Sequence, residues 1–190
     1  MLTELLQNLE IHVSQMGHFQ IFLTVALLTF IQEDAVLLLC AALVARGSID
    51  FEIAFWSNTT GVLLGDFVLY AIAAWLGRFR ENLWLIGRLL KPERLAIGKK
   101  LFDRWGFGIV ILSKFTPALR TPLYLSMGFV RSGFWIFALA ISLSGALWVF
   151  FILKGVLKAD QLGLLPVFLG VLMVALISAQ ILSWRFKKSL

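Results

Sequence analysis

Two apolar stretches of this chain are long enough to cross a bilayer, and each is broken near its middle by charge. Residues 19–45 divide at Gln32-Glu33-Asp34. Residues 106–130 divide at Lys114-Phe115-Thr116-Pro117-Ala118-Leu119-Arg120-Thr121-Pro122. A helix needs about 20 apolar residues to span the hydrocarbon core, so none of the resulting halves spans alone. Neighbouring charges at mid-membrane depth are costly against lipid and tolerable where they line a protein or a watery cavity. Pro117 and Pro122 remove backbone donors and oppose one continuous regular helix. Each stretch therefore reads as a re-entrant helical hairpin with a polar tip. For 19–45, a single span carrying a functional acidic pair is the alternative.

Composition supports a membrane setting. The chain has 190 residues, 60% of them hydrophobic and 15% charged, against about 25% charged in a soluble domain. That excludes a disordered chain, a coiled coil and an ordinary soluble enzyme. Lys+Arg number 17 and Asp+Glu 11, for a net charge of +6. The cations crowd beside apolar segments, which points to anionic lipid and membrane orientation rather than to nucleic acid. One cysteine, Cys40, stands in an apolar run, so no disulfide forms within the chain and no zinc site is built on it. His12 and His18 are spaced poorly for two ligands on one helix face and read as interfacial polar residues, so no metal is expected. Residues 1–18 contain no Lys or Arg, unlike a cleaved signal, and are expected to form an interfacial helix.

The expected fold is an all-α polytopic membrane protein. It has two inverted re-entrant hairpins, about three full transmembrane helices and amphipathic interfacial helices. Residues 19–183 form one membrane domain. Within it, 19–77 is a first repeat of hairpin plus span (54–77), and 106–153 is a second, with its span at 133–153. Residues 78–105 are a basic amphipathic connection between them. A loop carrying Lys154, Lys158 and Asp160 leads to a last span at 162–183, and 184–190 is a basic tail. Positive charge places 78–104 and the tail in the cytoplasm and the N-terminus outside. The first hairpin then starts outside and the second inside, which is an inverted-topology repeat. Broken segments at matching positions of two inverted halves point to a transporter's midplane site.

Two clusters carry the chemistry. Glu33, Asp34 and Asp66 are acidic residues within apolar sequence. Paired carboxyls at low dielectric repel and share a proton, as a proton-coupled carrier requires. Their alternative role is to neutralise Lys114 or Arg120, or, for Asp66, to hydrogen-bond nearby backbone. Lys114 and Arg120 are the basic pair. A guanidinium forks onto a phosphate or carboxylate, and lysine adds a point charge. Together at a proline-broken tip they suit an anionic head group, or else a salt bridge to the acidic hairpin. Gly61, Gly65, Gly128 and Gly145 permit close helix approach, and the Gly61/Gly65 spacing serves a homo-oligomer or internal packing equally well. No nucleophile–histidine pair, HExxH, phosphate-cradling glycine loop or CxxC occurs, so neither enzyme chemistry nor a cofactor is expected.

Several of these residues form a pattern. Phe102-Asp103-Arg104-Trp105-Gly106 precedes Lys114-Phe115-Thr116-Pro117-Ala118-Leu119-Arg120, and Gly128 follows. This run resembles the R-F-x-P-x-x-R signature of the DedA family, also called VTT or SNARE-associated proteins. Gly65-Asp66 with Tyr70 and Gly77-Arg78 resembles the family's G-D-x-x-x-Y…G-R motif. Asp34, thirteen residues before Gly47, and Gly145 with Trp148 match its remaining landmarks. The likeness covers about residues 30–155. Lys114 stands where the family has its first arginine, and Gln32-Glu33 replaces the end of a proline-rich run. The resemblance implies a bacterial inner-membrane flippase for a phosphate-bearing lipid, undecaprenyl phosphate or a phospholipid, linked to the proton-motive force. Its partners are then the lipid phosphate, surrounding lipids and protons. Arg120 and Lys114 would bind the phosphate, and Glu33, Asp34 and Asp66 would couple protons. Rival functions are proton-coupled exchange of a small cation, passive lipid scrambling and a non-transporting envelope scaffold.

Overall fold

A computed structural model of the chain describes residues 9–79, 92–114, 117–130 and 133–164. These residues form an all-helical protein. Residues 9–14 are helical. Then come α1 (His18–Ile31), α2 (Glu33–Ala45), α3 (Phe51–Leu76), a 3-10 turn (Gly77–Phe79), α4 (Pro92–Trp105), α5 (Phe107–Lys114), α6 (Pro117–Val130) and α7 (Phe134–Gln161). Residues 1–8, most of the basic connection's first half, the expected last span at 162–183 beyond Leu164 and the basic tail lie outside the described residues.

Helix length separates two kinds of element. α3 and α7, with 26 and 28 residues, measure about 39 and 42 Å and exceed the bilayer's hydrocarbon thickness of about 30 Å. α1, α2 and α6, with 14, 13 and 14 residues, measure only about 20 Å each. α5 has 8 residues. The breaks fall where the charges interrupt the apolar runs. At Gln32 the backbone leaves the helical basin (φ −140°, ψ 84°), and α2 starts at once with Glu33 and Asp34 in its first turn. α5 ends at Lys114 and α6 opens with Pro117, where a missing N–H loses no helical bond. Pro122 falls inside α6 rather than at the break. Its fixed φ is compatible with helix, so it removes one backbone bond without ending the element.

Two boundaries differ from the sequence expectation. α3 starts at Phe51, three residues before 54, with the Asp50 carbonyl accepting the Ala54 N–H at 3.0 Å. α7 continues to Gln161 through the run containing Lys154, Lys158 and Asp160 that was expected to be a loop. Lysine and alanine are good helix formers, and Lys154 finds a partner there: its Nζ lies 4.5 Å from the Phe51 ring centroid. The outward faces of the long helices are apolar. On α7, Leu139, Leu143, Leu147 and Phe151 repeat every four residues and are exposed, as are Leu64, Val68, Ile72 and Trp75 on α3. Contiguous exposed apolar stripes of this size suit lipid, not water.

The described residues divide into two compact units, both drawing on α3 and α7. The first holds α1, α2, α3 up to Gly65 and α7 from Gly145. Its core joins Ile21 and Val25 to Leu37, Cys40 and Ala41, with Val62, Val149 and Leu153. Polar residues tie it together: Thr29 Oγ1 donates to Asn58 Oδ1 at 3.0 Å, and Asn58 Nδ2 donates to the Ala54 carbonyl at 2.7 Å. Gly61 lets α1 lie against α3, since a Cβ there would sit 2.5 Å from the Ala26 carbonyl oxygen and 2.7 Å from Thr29 Cβ. The second unit is Asp66–Ser144, in which α4, α5 and α6 pack on one another.

Gly61→Ala should therefore destabilise the protein by about 1–3 kcal/mol through overpacking. Gly65→Ala should instead stabilise by about 0.5–1 kcal/mol through helix propensity, because an added Cβ meets nothing closer than Phe30 at 3.8 Å. Thermal unfolding of the two variants in detergent checks the contrast.

Candidate functional site

The second unit contains a buried cluster of charge. Lys114 is the last residue of α5, and Arg120 lies in the first turn of α6. The break between the two helices is thus bracketed by cations. Asp66 reaches both from α3. Its Oδ2 lies 2.7 Å from Lys114 Nζ, an ion contact without hydrogen-bond directionality. Its Oδ1 accepts from Arg120 Nε at 3.1 Å and Nη2 at 2.8 Å. The side chains of Asp66 and Lys114 are fully buried, whereas that of Arg120 remains 20% exposed.

Backbone contact sets this register. A Cβ on Gly128 would run into the Tyr70 carbonyl oxygen and come within 2.8 Å of Ala73 Cβ. Only glycine allows α6 this close to α3. Arg120, Tyr124 and Gly128 share one face of α6, while Asp66, Tyr70 and Ala73 share one face of α3. Seating Gly128 on Tyr70 and Ala73 brings Arg120 to Asp66, with the two helices running parallel. The next turn is aromatic. The Tyr70 ring stacks on Phe137 at 4.7 Å between centroids, and Tyr124, itself fully buried, meets the same ring edge-on at 5.0 Å. Rings of this size keep the adjacent ion cluster in a low-dielectric setting, where its charges interact strongly.

Two cations thus share one carboxylate. A buried ion pair contributes little net stability, but removing one partner strands the other. The local helix ends suit the charges. A cation at the end of α5 faces the negative end of that helix dipole, and the first turn of α6 offers a positive end to an anion. The start of α6 thus sets a guanidinium beside the N–H groups of a helix's first turn, a combination that suits a phosphate or carboxylate.

The sequence-predicted residues fall into two groups. Asp66, Lys114 and Arg120 come together, with Gly128 as the contact that seats them. Glu33 and Asp34 belong to the first unit, half-buried in the first turn of α2. Carboxylates at a helix start are stabilised by that helix's dipole. Gly65, beside Asp66, is roomy rather than crowded. Cys40 is a buried core residue, as expected. Asn58 was not singled out from sequence. Its signal was available, because an amide within an apolar run is a common interhelical tie.

The profile of the VTT domain matches residues 18–158. The chain is 28% identical over 128 residues to the Bacillus subtilis protein named uncharacterized membrane protein YkoX, covering 65% of this chain and 56% of that one. It is 24% identical over 140 residues to undecaprenyl phosphate transporter A of the same organism, covering 71% and 69%. It is 29% identical over 145 residues to inner membrane protein YghB of Escherichia coli, covering 73% and 65%. The chain thus spans little more than half of YkoX and about two thirds of the other two. No solved structure matches it.

The ion cluster predicts an asymmetry between substitutions. Asp66→Ala removes the carboxylate that two cations share and should cost about 3–5 kcal/mol. Lys114→Met leaves Asp66 paired with Arg120 and should cost clearly less. Unfolding midpoints of both variants in the same detergent measure the difference.

Proposed function

This chain belongs to the VTT-domain (DedA) family of membrane proteins, and from that premise we propose that it moves a phosphate-bearing lipid across the bacterial inner membrane. The observation that carries the proposal is the buried cluster in which Lys114 and Arg120 share Asp66 while Arg120 stays partly open. Arg120 takes the head-group phosphate at the start of α6. Lys114 adds positive field behind it. The acyl or prenyl chain stays in lipid while the head group crosses, so the protein performs no bond chemistry. Undecaprenyl phosphate is the favoured cargo, because a relative covered over 69% of its length carries that transporter name. A phospholipid phosphate would offer Arg120 the same kind of oxygen acceptor.

The short helices favour the same mechanism. Helices of about 20 Å reach only partway through the hydrocarbon, and charged breaks between them suit re-entrant hairpins whose tips meet a cavity. Two such broken segments in inverted halves would alternate access to a midplane site. Glu33 and Asp34, at the break between α1 and α2, are the groups that would exchange protons with either side and couple transport to the proton-motive force. The N-terminus faces outward, and the basic connection before α5 faces the cytoplasm.

In liposomes, wild-type protein should move a polyprenyl phosphate between leaflets faster with an imposed pH gradient than without. Arg120→Gln should lower the rate at least about tenfold by removing a charge-assisted contact, with an unfolding midpoint that shows a folded protein. Transport retained in Arg120→Gln would remove Arg120 from the path. Equal rates with and without the gradient would make the protein a scramblase.

A further inference from the structure

α4 and α5 meet at a corner where the surface of the protein changes character. α4 packs on α6, with Phe102 buried and its ring 3.4 Å from the place a Cβ would take on Gly133. The apolar side of α4 is therefore taken up by protein, and the side turned outward is charged: Lys99, Lys100, Asp103 and Arg104 are all exposed. Gly106, at φ 48°, closes the helix, and its N–H donates to the Phe102 carbonyl at 2.7 Å. α5 then presents the opposite kind of surface, with Phe107 and Leu112 exposed. Charge before the glycine and bare hydrocarbon after it put this corner at the depth of the lipid head groups. The exposed Trp105 stands between the two surfaces, as tryptophan does at that depth.

The charges at the corner are not equivalent. Lys99 Nζ lies 2.7 Å from Asp103 Oδ2, one turn along the helix, so those two satisfy each other. Lys100 and Arg104 form the neighbouring row, also one turn apart, and among the described residues no carboxylate pairs with either. Arg104 sits 5.9 Å from the Trp105 ring centroid. That contact occupies the face of the guanidinium and leaves its N–H edges for an acceptor. Side chains at this spacing are about 5–6 Å apart at Cβ, and both are long enough to converge on one phosphate. We propose that Lys100 and Arg104, with Trp105, form a head-group site for an anionic phospholipid of the surrounding bilayer. The acyl chains of that lipid run along the exposed apolar side of α5. The site lies at the opposite end of α5 from Lys114 and does not depend on transport. Its occupant is a lipid and not a free anion, because the cations adjoin apolar surface. A phosphate alone meets only the two charges, whereas a lipid also covers Phe107 and Leu112. A choline head group carries its own cation, so zwitterionic lipid gains less here than phosphatidylglycerol.

A reporter at the corner tests this in the full chain. Gly108 is exposed, with nothing within 4 Å of an added Cβ, and the native Cys40 is buried. Gly108→Cys therefore takes a bimane label by itself. Quenching of that label by brominated phosphatidylglycerol and by brominated phosphatidylcholine, in bilayers that mix the two lipids, gives their relative affinity at the corner. The labelled parent should favour phosphatidylglycerol about tenfold, through two cations beside anionic lipid. Adding Lys100→Gln with Arg104→Gln should bring the ratio close to one. Adding Lys99→Gln with Asp103→Asn removes a matched pair and should leave the ratio as it was. All four side chains are exposed, so these variants should unfold at the parent's midpoint. A ratio near one in the parent, a preference that survives the loss of Lys100 and Arg104, or an equal fall on removing the matched pair overturns the proposal. The parent alone gives two further decisions. Raised salt should lower its preference by screening, and a preference indifferent to salt overturns the ionic site. Inorganic phosphate at constant ionic strength should leave the preference intact; if phosphate abolishes it, the site takes a free anion and lipid is the wrong occupant.

Discussion

Charge buried among apolar helices has to find a partner on the spot, and in this protein one carboxylate, Asp66, bridges two cations. Asp66 and Lys114 are sealed from the surface. Their side chains cannot be hydrated, so the three elements that bear the cluster are bound to one arrangement. α3 must bring Asp66 to the end of α5 and the start of α6. That requirement explains why the close contact at Gly128 is backbone on backbone. A side chain there would lift α6 off α3 and pull Arg120 away from its carboxylate. Packing and electrostatics are one constraint here, met by a glycine two turns from the charge.

Each compact unit is assembled from the same kinds of part. A pair of short helices is broken by polar sequence, and a stretch of each long helix lies beside it. In the first unit the tie is an uncharged one, Thr29 to Asn58, supported by the crowded Gly61. In the second it is ionic, supported by Gly128. Hydrogen bonds between neutral groups are worth about 1 kcal/mol. Losing one partner of a buried ion cluster costs about 3–5 kcal/mol.

Much of this was legible in the chain. Hydrophobic runs with charged interruptions located the break at Gln32 and the end of α5 at Lys114, because charge in an apolar run is costly against lipid. The resemblance on Gly65-Asp66, Lys114-Phe115 and Arg120 named the three residues that the fold brings together. The pairing was legible only as an alternative, because Glu33, Asp34 and Asp66 were all eligible to neutralise Lys114 or Arg120. Asp66 lies mid-span, and the register of α6 on α3 shows that it faces both cations. The continuation of α7 through Lys154 was also hidden, because a lysine reads as the end of a span until the ring of Phe51 is placed beneath it.

Lysine at position 114 is a departure from the family's first arginine, and the cluster gives it a physical sense. The position is fully buried and contacts one oxygen of Asp66. A compact ammonium suits a point partner, whereas a guanidinium there would bring five donors in a fixed fork into a fully buried position. The forked cation is kept for Arg120, which is partly open. The two basic residues are therefore unequal: one is sealed against the internal carboxylate, and the other is partly open. On the proposed function, that division leaves Arg120 to take and release a charged head group while Lys114 holds Asp66.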